Sequence, residues 1–309
     1  MRKEIILFLL LLILVLDTGC IASTYKKYGD IIYKEIPGVD PRLLSLDIYV
    51  PKTLSLVKYN ENASGKGLPV MIWVHGGAWV TGDKSNRLHY KIPLFINSGW
   101  IFVSVNYRLS PRDIPSDPKD LNPNRIKYPV HCQDVAAAIA WVHRHIGEYG
   151  GDPDQTSLMG HSAGAYIVSA IATNESFLAE HGLNLSIIKH VVSLDTEAYD
   201  VEYVIENAPP SFAMIYMNAF GTDPNVWYDA SPINHIESGK PIPPFFVVTR
   251  GNLTRINISE RFVNKLKEVG VRVKIIYAMN YTHSEVNDAI GNPNDKIITP
   301  ALKEFLGLN

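Results

Sequence analysis

Apolar residues form short continuous runs that alternate with segments of helical periodicity along most of this chain. Residues 70–74 and 101–105 are almost wholly apolar, which is typical of strands buried on both faces of a sheet. Residues 134–145 instead repeat their apolar positions at helical spacing. Because strands and helices alternate in this way, we predict an α/β fold with a mostly parallel central sheet and helices on both faces.

The same patterns predict the other elements of the sheet and its helices. Further strands are expected near residues 29–36, 46–50, 156–159, 188–194, 245–249 and 271–277, and further helices at 165–171, 259–269 and 296–306. Three segments show neither periodicity and are predicted to be loops or irregular excursions: 52–68, 110–129 and 196–243. The third contains seven well-spaced aromatic residues: Tyr199, Tyr203, Phe212, Tyr216, Phe220, Trp227 and Tyr228.

Length and composition fit one large domain. The chain has 309 residues, of which 46% are hydrophobic, and its formal net charge is −2. A sizeable core is therefore available, and the charge gives no electrostatic reason to expect nucleic acid as a partner. Since no composition break marks a second domain, we predict a linker and edge strand over residues 21–44 and a single domain over residues 45–309.

The N-terminus has the features of an export signal. Two basic residues precede an apolar run over residues 5–16, which has signal-peptide length and is short for a bilayer span. Small residues then precede Cys20, as in bacterial lipoprotein signals, so residues 1–20 are predicted to be such a signal peptide. The alternatives are ordinary cleavage near Ala22, with release into the periplasm or medium, and an uncleaved anchor. We therefore expect an exported protein of the bacterial cell envelope with a lipid anchor at Cys20.

Residues 160–164, Gly-His-Ser-Ala-Gly, lie between a predicted strand and a predicted helix. A Gly-x-Ser-x-Gly segment in that position is the arrangement of a nucleophile elbow, which lifts a serine hydroxyl clear of the sheet. The small residues on both sides of the serine let the strand and helix backbones approach closely. Ser162 is therefore the candidate nucleophile.

A Gly-Gly turn follows the strand predicted at residues 70–74. Such a turn can aim backbone N–H groups outward, where they stabilise the negative oxygen of a tetrahedral intermediate. The candidate oxyanion-hole residues are Gly76, Gly77 and Ala78, together with Ala163, which directly follows the candidate nucleophile.

With these two motifs the chain resembles the α/β-hydrolase superfamily, in particular its carboxylesterase, hormone-sensitive-lipase-like and kynurenine-formamidase-like branches. The resemblance covers roughly residues 40–309 and implies the α/β-hydrolase fold. In that fold the catalytic order is serine, acid, histidine, so the base is expected after the last strand, where His283 lies. The resemblance also implies that the aromatic segment 196–243 is a cap-like insertion that shapes the acyl or alcohol pocket.

The acid does not stand in the loop where this family usually carries it, because residues 250–258 contain no Asp or Glu. Asp195, at the end of the predicted strand 188–194, is the first candidate, since some hydrolases of this superfamily carry the acid at that strand end. Glu197 and Asp200 follow it closely. Alternatively, Asn252 orients the histidine through its side-chain carbonyl, or the site has no acid.

The resemblance implies a serine hydrolase that cleaves carboxylic esters, and the aromatic insertion favours small or aromatic acyl groups. Two alternatives stay open: an arylformamidase-like amidase with the same machinery, and an interaction protein of the same fold without activity. No cofactor or metal is expected, because metal-ligand spacings and Gly-rich phosphate loops are absent. The expected partner is a small-molecule ester, and the sequence does not indicate an oligomeric state.

Overall fold

The computed structural model describes residues 24–52 and 67–308. The predicted signal peptide, with Cys20, and residues 53–66 lie outside these ranges. Among the described residues, no helix combines the length and the apolar character that crossing a membrane requires. Export and a lipid anchor at Cys20 therefore stay predictions.

The strands of the described residues form one mixed sheet. In chain order they are β1 (Tyr25–Ile32), β2 (Ser45–Pro51), β3 (Leu68–Val74), β4 (Ile101–Val105), β5 (Gly151–His161), β6 (Ile188–Leu194), β7 (Phe245–Thr249) and β8 (Val273–Tyr277). Their spatial order is β1-β2-β4-β3-β5-β6-β7-β8. Strand β2 is antiparallel to both of its neighbours, and all pairs from β4 to β8 are parallel. The predicted α/β class with a mostly parallel sheet is confirmed.

Helices cover both faces of this sheet. They are α1 (Lys91–Asn97), α2 (Val130–His145), α3 (Ala163–Thr173), α4 (Ser176–Ala179), α5 (Val201–Asn207), α6 (Pro210–Phe220), α7 (Pro224–Ala230), α8 (Leu253–Glu268), α9 (His283–Ala289) and α10 (Ile298–Leu306). Side chains alternate along β3, so that Ile72 and Val74 pack under α2, α3 and α8, whereas Met71 and Trp73 pack under α1, α9 and α10. Both faces of the central strands are therefore apolar, which explains their continuous apolar runs.

Several element boundaries differ from the pattern-based prediction. Helix α2 begins at Val130, directly after Pro129, rather than at residue 134. Strand β1 spans Tyr25–Ile32 rather than residues 29–36, and a turn follows at residues 36–39, where the amide of Val39 donates to the carbonyl oxygen of Ile36 at 3.1 Å. The residues at which these elements begin and end depend on local turns. The apolar pattern predicts which residues are buried, but not where backbone hydrogen bonding starts and stops.

Candidate active site

Ser162 lies on a strained turn between strand β5 and helix α3. Its backbone angles are φ 55° and ψ −119°, a combination that L-residues rarely adopt. The turn is tight because two glycines allow it: a Cβ on Gly160 would lie 2.3 Å from the backbone of Gly164, and a Cβ on Gly164 would lie 2.1 Å from the carbonyl oxygen of Val74. The structure therefore gives this segment the geometry of a nucleophile elbow.

The Gly-Gly turn after β3 folds back on itself through left-handed conformations. Gly77, Ala78 and Trp79 have positive φ angles of 122°, 51° and 62°. The amides of Val80 and Thr81 both donate to the carbonyl oxygen of Gly77, at 3.0 and 3.1 Å, and close the turn. Within the described residues no backbone hydrogen bond uses the amides of Gly77 or Ala78, so these donors are available to a ligand.

This turn lies directly against the candidate nucleophile. A Cβ on Gly76 would be 2.7 Å from the carbonyl oxygen of His161 and 3.0 Å from Ser162 Cβ, so a side chain here would displace the elbow. Helix α3 begins at Ala163, and its amide is one of the first-turn donors that have no acceptor inside the helix. The predicted oxyanion donors and the serine therefore lie side by side at the carboxyl ends of β3 and β5.

His283 and Asp195 form a hydrogen-bonded pair at the same edge of the sheet. His283 Nδ1 donates to Asp195 Oδ2 at 2.6 Å, which fixes the tautomer in which Nε2 is the proton acceptor. Asp195 directly follows β6, and its side chain is 1% exposed, whereas the His283 side chain is 41% exposed. A capping box between Thr282 and Glu285 holds the first turn of α9 and with it the position of the ring.

Two arginines share the Asp195 carboxylate with His283. Arg250 Nε donates to Oδ2 at 2.5 Å, and Arg255 Nη2 donates to Oδ1 at 2.6 Å. Burial raises the pKa of Asp195, but the hydrogen bond from His283 and the charges of Arg255 and Arg250 outweigh it and lower the pKa to about 2. Both arginines follow β7, in the segment where the family usually carries the acid, so here that segment supplies cations that bind an acid from the neighbouring strand.

Asn252 does not contact the histidine that it was a candidate to orient. It is the N-cap of helix α8, and its side-chain oxygen accepts from the amide of Arg255 at 3.1 Å. A side-chain oxygen in this position satisfies one of the otherwise unpaired amides of the first turn. The imidazole of His283 is therefore held by a carboxylate and not by this amide.

Glu197 and Asp200, the other acid candidates, pair with different cations. Glu197 Oε1 accepts from Arg255 Nη1 at 2.6 Å, and burial raises the pKa of this carboxyl. Asp200 caps helix α5 and lies 2.8 Å from Arg261 Nη2. Arg255 thus bridges Glu197 and Asp195, while Asp195 is the candidate acid that the structure brings to His283.

His161, which the motif alone did not mark as a site residue, packs directly against His283. The two ring centroids are 4.4 Å apart, and His161 Nε2 donates to the backbone oxygen of His283 at 2.9 Å. Burial, with the charge of His283, lowers the pKa of His161 to about 3, so this ring is neutral near pH 7. His161 therefore supports the backbone that carries the candidate base.

Side chains of His161, Asp195 and His283 also bring potential metal-ligand atoms within 4.8 Å of one another. Within the described residues, the hydrogen bonds that these three residues make explain why their side chains lie close together. The Asp195 carboxylate is bound by His283 and two arginines, and His161 Nε2 is bound to a carbonyl oxygen. Two guanidinium charges on the carboxylate also disfavour a further cation there. Hydrogen bonds therefore hold this cluster together.

A cavity of about 530 Å³ opens in front of these groups. Ser162, His283 and the oxyanion turn line one part of it, and Trp73, Arg87 and Asn287 line another. In the described part of the chain, its lining includes none of the seven aromatic residues of the insertion. The sequence analysis predicted that these rings shape the pocket, whereas in the structure other residues line this cavity.

The aromatic rings of the insertion pack mainly into the core. Helices α5, α6 and α7 come between β6 and β7 in the chain, and Tyr216 and Phe220 meet Trp79 edge-on, with ring centroids 5.4 and 4.9 Å apart. Tyr199 stacks on Phe262 at 4.2 Å. These rings fill the space beside α3 and below the oxyanion turn, so they support the site from behind.

Known proteins with similar sequences include esterases. Residues 40–183 match the Carboxylesterase family. The chain is 30% identical over 292 residues to LipM of Mycobacterium tuberculosis, a probable carboxylic ester hydrolase, which is 91% of this chain and 61% of that protein. It is 27% identical over 306 residues to esterase LipQ of the same organism, which is 94% of this chain and 69% of that protein. The chain thus spans less than two thirds of LipM's length, and the activity of these relatives supports a proposal for this chain.

Similar folds occur among solved structures. One of them is a truncated form of a carbohydrate esterase from gut microbiota, which superposes with a TM-score of 0.65 at 18% identity. The match covers 92% of this chain and 96% of that one. At this identity the likeness concerns the fold, and it agrees with the element order described above.

Proposed function

We propose that this chain is a serine hydrolase of carboxylic esters, because residues 40–183 match the Carboxylesterase family and most of the chain is similar to known esterases. One arrangement carries the proposal. Ser162 on its strained turn shares a cavity with His283, whose Nδ1 is bound to the buried carboxylate of Asp195. A nucleophile, a base and a group that orients the base are the parts that acyl transfer requires.

In the first half-reaction, Ser162 Oγ attacks the ester carbonyl carbon while His283 Nε2 takes the hydroxyl proton. The carbonyl oxygen becomes negative and is bound by the amides of Gly77, Ala78 and Ala163, with Gly76 shaping their turn. His283 then donates its proton to the alkoxy oxygen. The C–O bond breaks, the alcohol leaves and the acyl group stays on Ser162.

In the second half-reaction, His283 takes a proton from water, and the resulting hydroxide attacks the acyl-enzyme. The oxyanion forms again at the same amides, and His283 returns the proton to Ser162 Oγ as the acid leaves. Asp195 stabilises the imidazolium that forms in both halves. Because arginines hold this carboxylate ionised, it stays an acceptor for the ring throughout.

The cavity supports small esters as substrates. Its volume of about 530 Å³ lies within the range of roughly 300–1,000 Å³ that is typical of small-molecule pockets. Short-chain esters are therefore suitable for a first assay.

Replacement of the nucleophile tests the proposal. Ser162→Ala should lower kcat for 4-nitrophenyl acetate by about four orders of magnitude or more, because the acyl-enzyme can no longer form. The measurement is steady-state hydrolysis, and Ser211→Ala, an exposed serine of α6, is the matched control. An unchanged rate in Ser162→Ala would refute the mechanism.

Two further results would favour the alternatives. Faster turnover of N-formylkynurenine than of short esters would point to an amidase that uses the same residues. Absence of labelling by a fluorophosphonate probe would point to a protein without activity. Labelling that disappears in Ser162→Ala would support the serine hydrolase.

We also propose, on the sequence of residues 1–20, that the protein is exported and anchored to the cell envelope through a lipid on Cys20. Mass spectrometry of the mature N-terminus distinguishes the outcomes. A diacylglyceryl cysteine supports the anchor, whereas an unmodified N-terminus near Ala22 would replace it by plain secretion.

A further inference from the structure

One arginine brings a full positive charge to the cavity that contains Ser162. Arg87 lines this cavity, and its side chain is 46% exposed, so solvent and ligands can reach its guanidinium. Among the described residues that line the cavity, none is an aspartate or a glutamate. A cavity wall that carries a cation and no carboxylate favours a ligand with negative charge.

The guanidinium of Arg87 is held beside the candidate base. Its Nη1 donates to Asp288 Oδ2 at 2.8 Å and lies 3.5 Å from the backbone oxygen of Ser284, the residue that follows His283. Within the described part of the chain, the hydrogen bonds of this guanidinium all use Nη1, so the N–H groups on Nε and Nη2 are left for a ligand. A group bound there lies close to the base and therefore belongs to the molecule that is being hydrolysed.

The backbone of Arg87 is fixed in a conformation that is costly for this residue. Its φ angle is 56°, in the left-handed region that residues other than glycine rarely adopt. Its carbonyl oxygen accepts from the ammonium of the buried Lys91 at 3.0 Å, and the same ammonium donates to the backbone oxygen of Asn287 at 2.6 Å. Lys91 thus ties the arginine to helix α9, which begins at His283. Strained residues that the surrounding structure holds in place are concentrated at catalytic and ligand-binding sites.

We propose that Arg87 is a specificity residue that binds an anionic oxygen group of the ester substrate, of which a carboxylate is the simplest. The N–H groups on Nε and Nη2 point to the same side of the planar guanidinium and match two oxygens of such a group. The substrate is then a half-ester of a dicarboxylic acid, or an ester whose alcohol part carries the acid. This assignment rests on the esterase activity proposed above.

Two further cations near the cavity agree with an anionic substrate. Arg112 Nη2 donates at 2.5 Å to Oγ1 of Thr81, a residue of the cavity wall. The ammonium of Lys91 lies behind the wall, 4.7 Å from the centroid of the Trp73 ring. A cationic substrate would be repelled by these charges and by Arg87. A neutral amide or hydroxyl would accept a hydrogen bond from Arg87, but a weaker one than an anion accepts.

Asp288 competes with the substrate for the charge of Arg87. Its side chain is 41% exposed, and its contact with Arg87 is a surface ion pair, which contributes little to stability. Replacement of Asp288 by asparagine removes the competing negative charge and keeps a similar shape. The proposal therefore predicts opposite effects for the two partners: loss of Arg87 weakens the preference for an anion, and loss of the Asp288 charge strengthens it.

Two pairs of esters that differ by one charge test the assignment. Monomethyl succinate is compared with methyl succinamate, in which an amide replaces the carboxylate of the acyl part. 4-Acetoxybenzoate is compared with 4-acetoxybenzamide, which places the same difference in the leaving part. Hydrolysis is followed as acid release near neutral pH. In at least one pair, the wild-type kcat/KM should be higher for the anion by about tenfold or more, the factor by which a hydrogen bond to a charged group exceeds a neutral one.

Three variants assign the preference to its residues. In Arg87→Gln the ratio of kcat/KM between anionic and neutral ester should fall to about one, mainly through the KM of the anionic ester. In Asp288→Asn the ratio should rise above the wild-type value. Arg144→Gln removes an exposed arginine of helix α2 that is not among the residues lining the cavity, so this matched control should keep the wild-type ratio.

The ratio within each variant is the readout, so a general loss of activity does not imitate the result. A wild-type ratio near one in both pairs would overturn the role of Arg87 while Ser162-dependent hydrolysis continues. A ratio that survives Arg87→Gln, or that falls in Asp288→Asn, would overturn it as well. Hydrolysis of none of these esters and none of 4-nitrophenyl acetate, or hydrolysis that survives Ser162→Ala, would count against the proposed function itself.

Discussion

Asp195 has more partners than orienting a histidine requires. Its carboxylate meets His283, Arg250 and Arg255, all at 2.5 to 2.6 Å. The arginines keep the carboxylate ionised and fixed in place, but their positive charges also oppose the formation of a nearby imidazolium. We therefore interpret them as positioning residues that tune the base through the acid.

Neutralising one arginine should weaken the hold on the carboxylate that orients the base. In Arg255→Gln the Asp195 carboxylate loses one of the two guanidinium groups that bind it and lower its pKa, so its position against His283 Nδ1 is less well fixed. We expect kcat for 4-nitrophenyl butyrate to fall by about tenfold with little change in KM, because the orientation of the base matters in the transition state and not in substrate binding. Arg255→Lys, which keeps the charge, should restore most of the wild-type kcat.

Two further variants make this result interpretable. Arg250→Gln should lower kcat in the same way, since Arg250 binds the same carboxylate. Arg261→Gln removes a half-exposed arginine of helix α8 that pairs with Asp200, and it should leave kcat unchanged. A wild-type kcat in both Arg255→Gln and Arg250→Gln would limit the arginines to a structural role.

At the scale of elements, the sequence predicted those features of the fold that depend only on residues close together in the chain. The elbow around Ser162 depends on small residues between a strand and a helix, and all of that is visible in five consecutive positions. Fully buried strands were equally visible, because burial on both faces leaves a continuous apolar run. The ends of elements were harder to predict, as at Val130, where a preceding proline and local turns determine the first residue of the helix.

The contacts around the acid could not be predicted from sequence because they depend on strand neighbours. Asp195 meets Arg250 since β6 and β7 are adjacent and in register, with Leu194 opposite Val248. Each of these residues follows the end of its own strand, so the two side chains meet at one edge of the sheet. The sequence offered three carboxylates at residues 195–200, with Asp195 first because it ends the predicted strand, and this register brings Asp195 to the shared edge.

The aromatic insertion, residues 196–243, shows the same limit of prediction from sequence. Its aromatic residues predicted burial, but not whether their rings would face the cavity or the core. The partners of Tyr216 and Phe220 include Trp79 of the oxyanion turn and Tyr166 of helix α3, which are far from them in sequence. Aromatic content therefore predicted packing, while the direction of packing came from the tertiary structure.

At the scale of the whole molecule, a buried ion pair ties the active-site loop to the antiparallel edge of the sheet. Lys84, a few residues after the oxyanion turn, is 3% exposed, and its Nζ binds Asp47 of β2. The same ammonium lies 2.7 Å from Asp30 of β1, and Lys27 of β1 also lies 2.7 Å from Asp47. The edge strands therefore anchor the loop that carries the candidate oxyanion donors.

The ionisation of Asp47 sets the pH range in which this anchor acts. Burial raises the pKa of Asp47, but hydrogen bonds from Lys27 and Lys84 outweigh it, and the net shift is downward from 3.8. A carboxyl with a lowered pKa in the folded state stabilises that state fully above its ordinary pKa. This contribution is lost as the pH falls below about 4 and through the lowered value.

Removal of the buried lysine should therefore be costly near neutral pH. Lys84→Met leaves Asp47 buried with Lys27 as its remaining cation, and breaking a buried pair in this way costs about 3–5 kcal/mol of unfolding free energy. Urea unfolding at pH 7 measures the loss, which should shrink at pH 3, where the Asp47 carboxyl takes up a proton. Lys27→Met, whose side chain is 45% exposed, is the control and should cost about 1 kcal/mol or less. If Lys84→Met costs no more than Lys27→Met, the edge strands do not anchor the loop through this pair. If the double variant Lys84→Met/Asp47→Leu recovers stability, the cause of the loss is the buried carboxylate without its lysine.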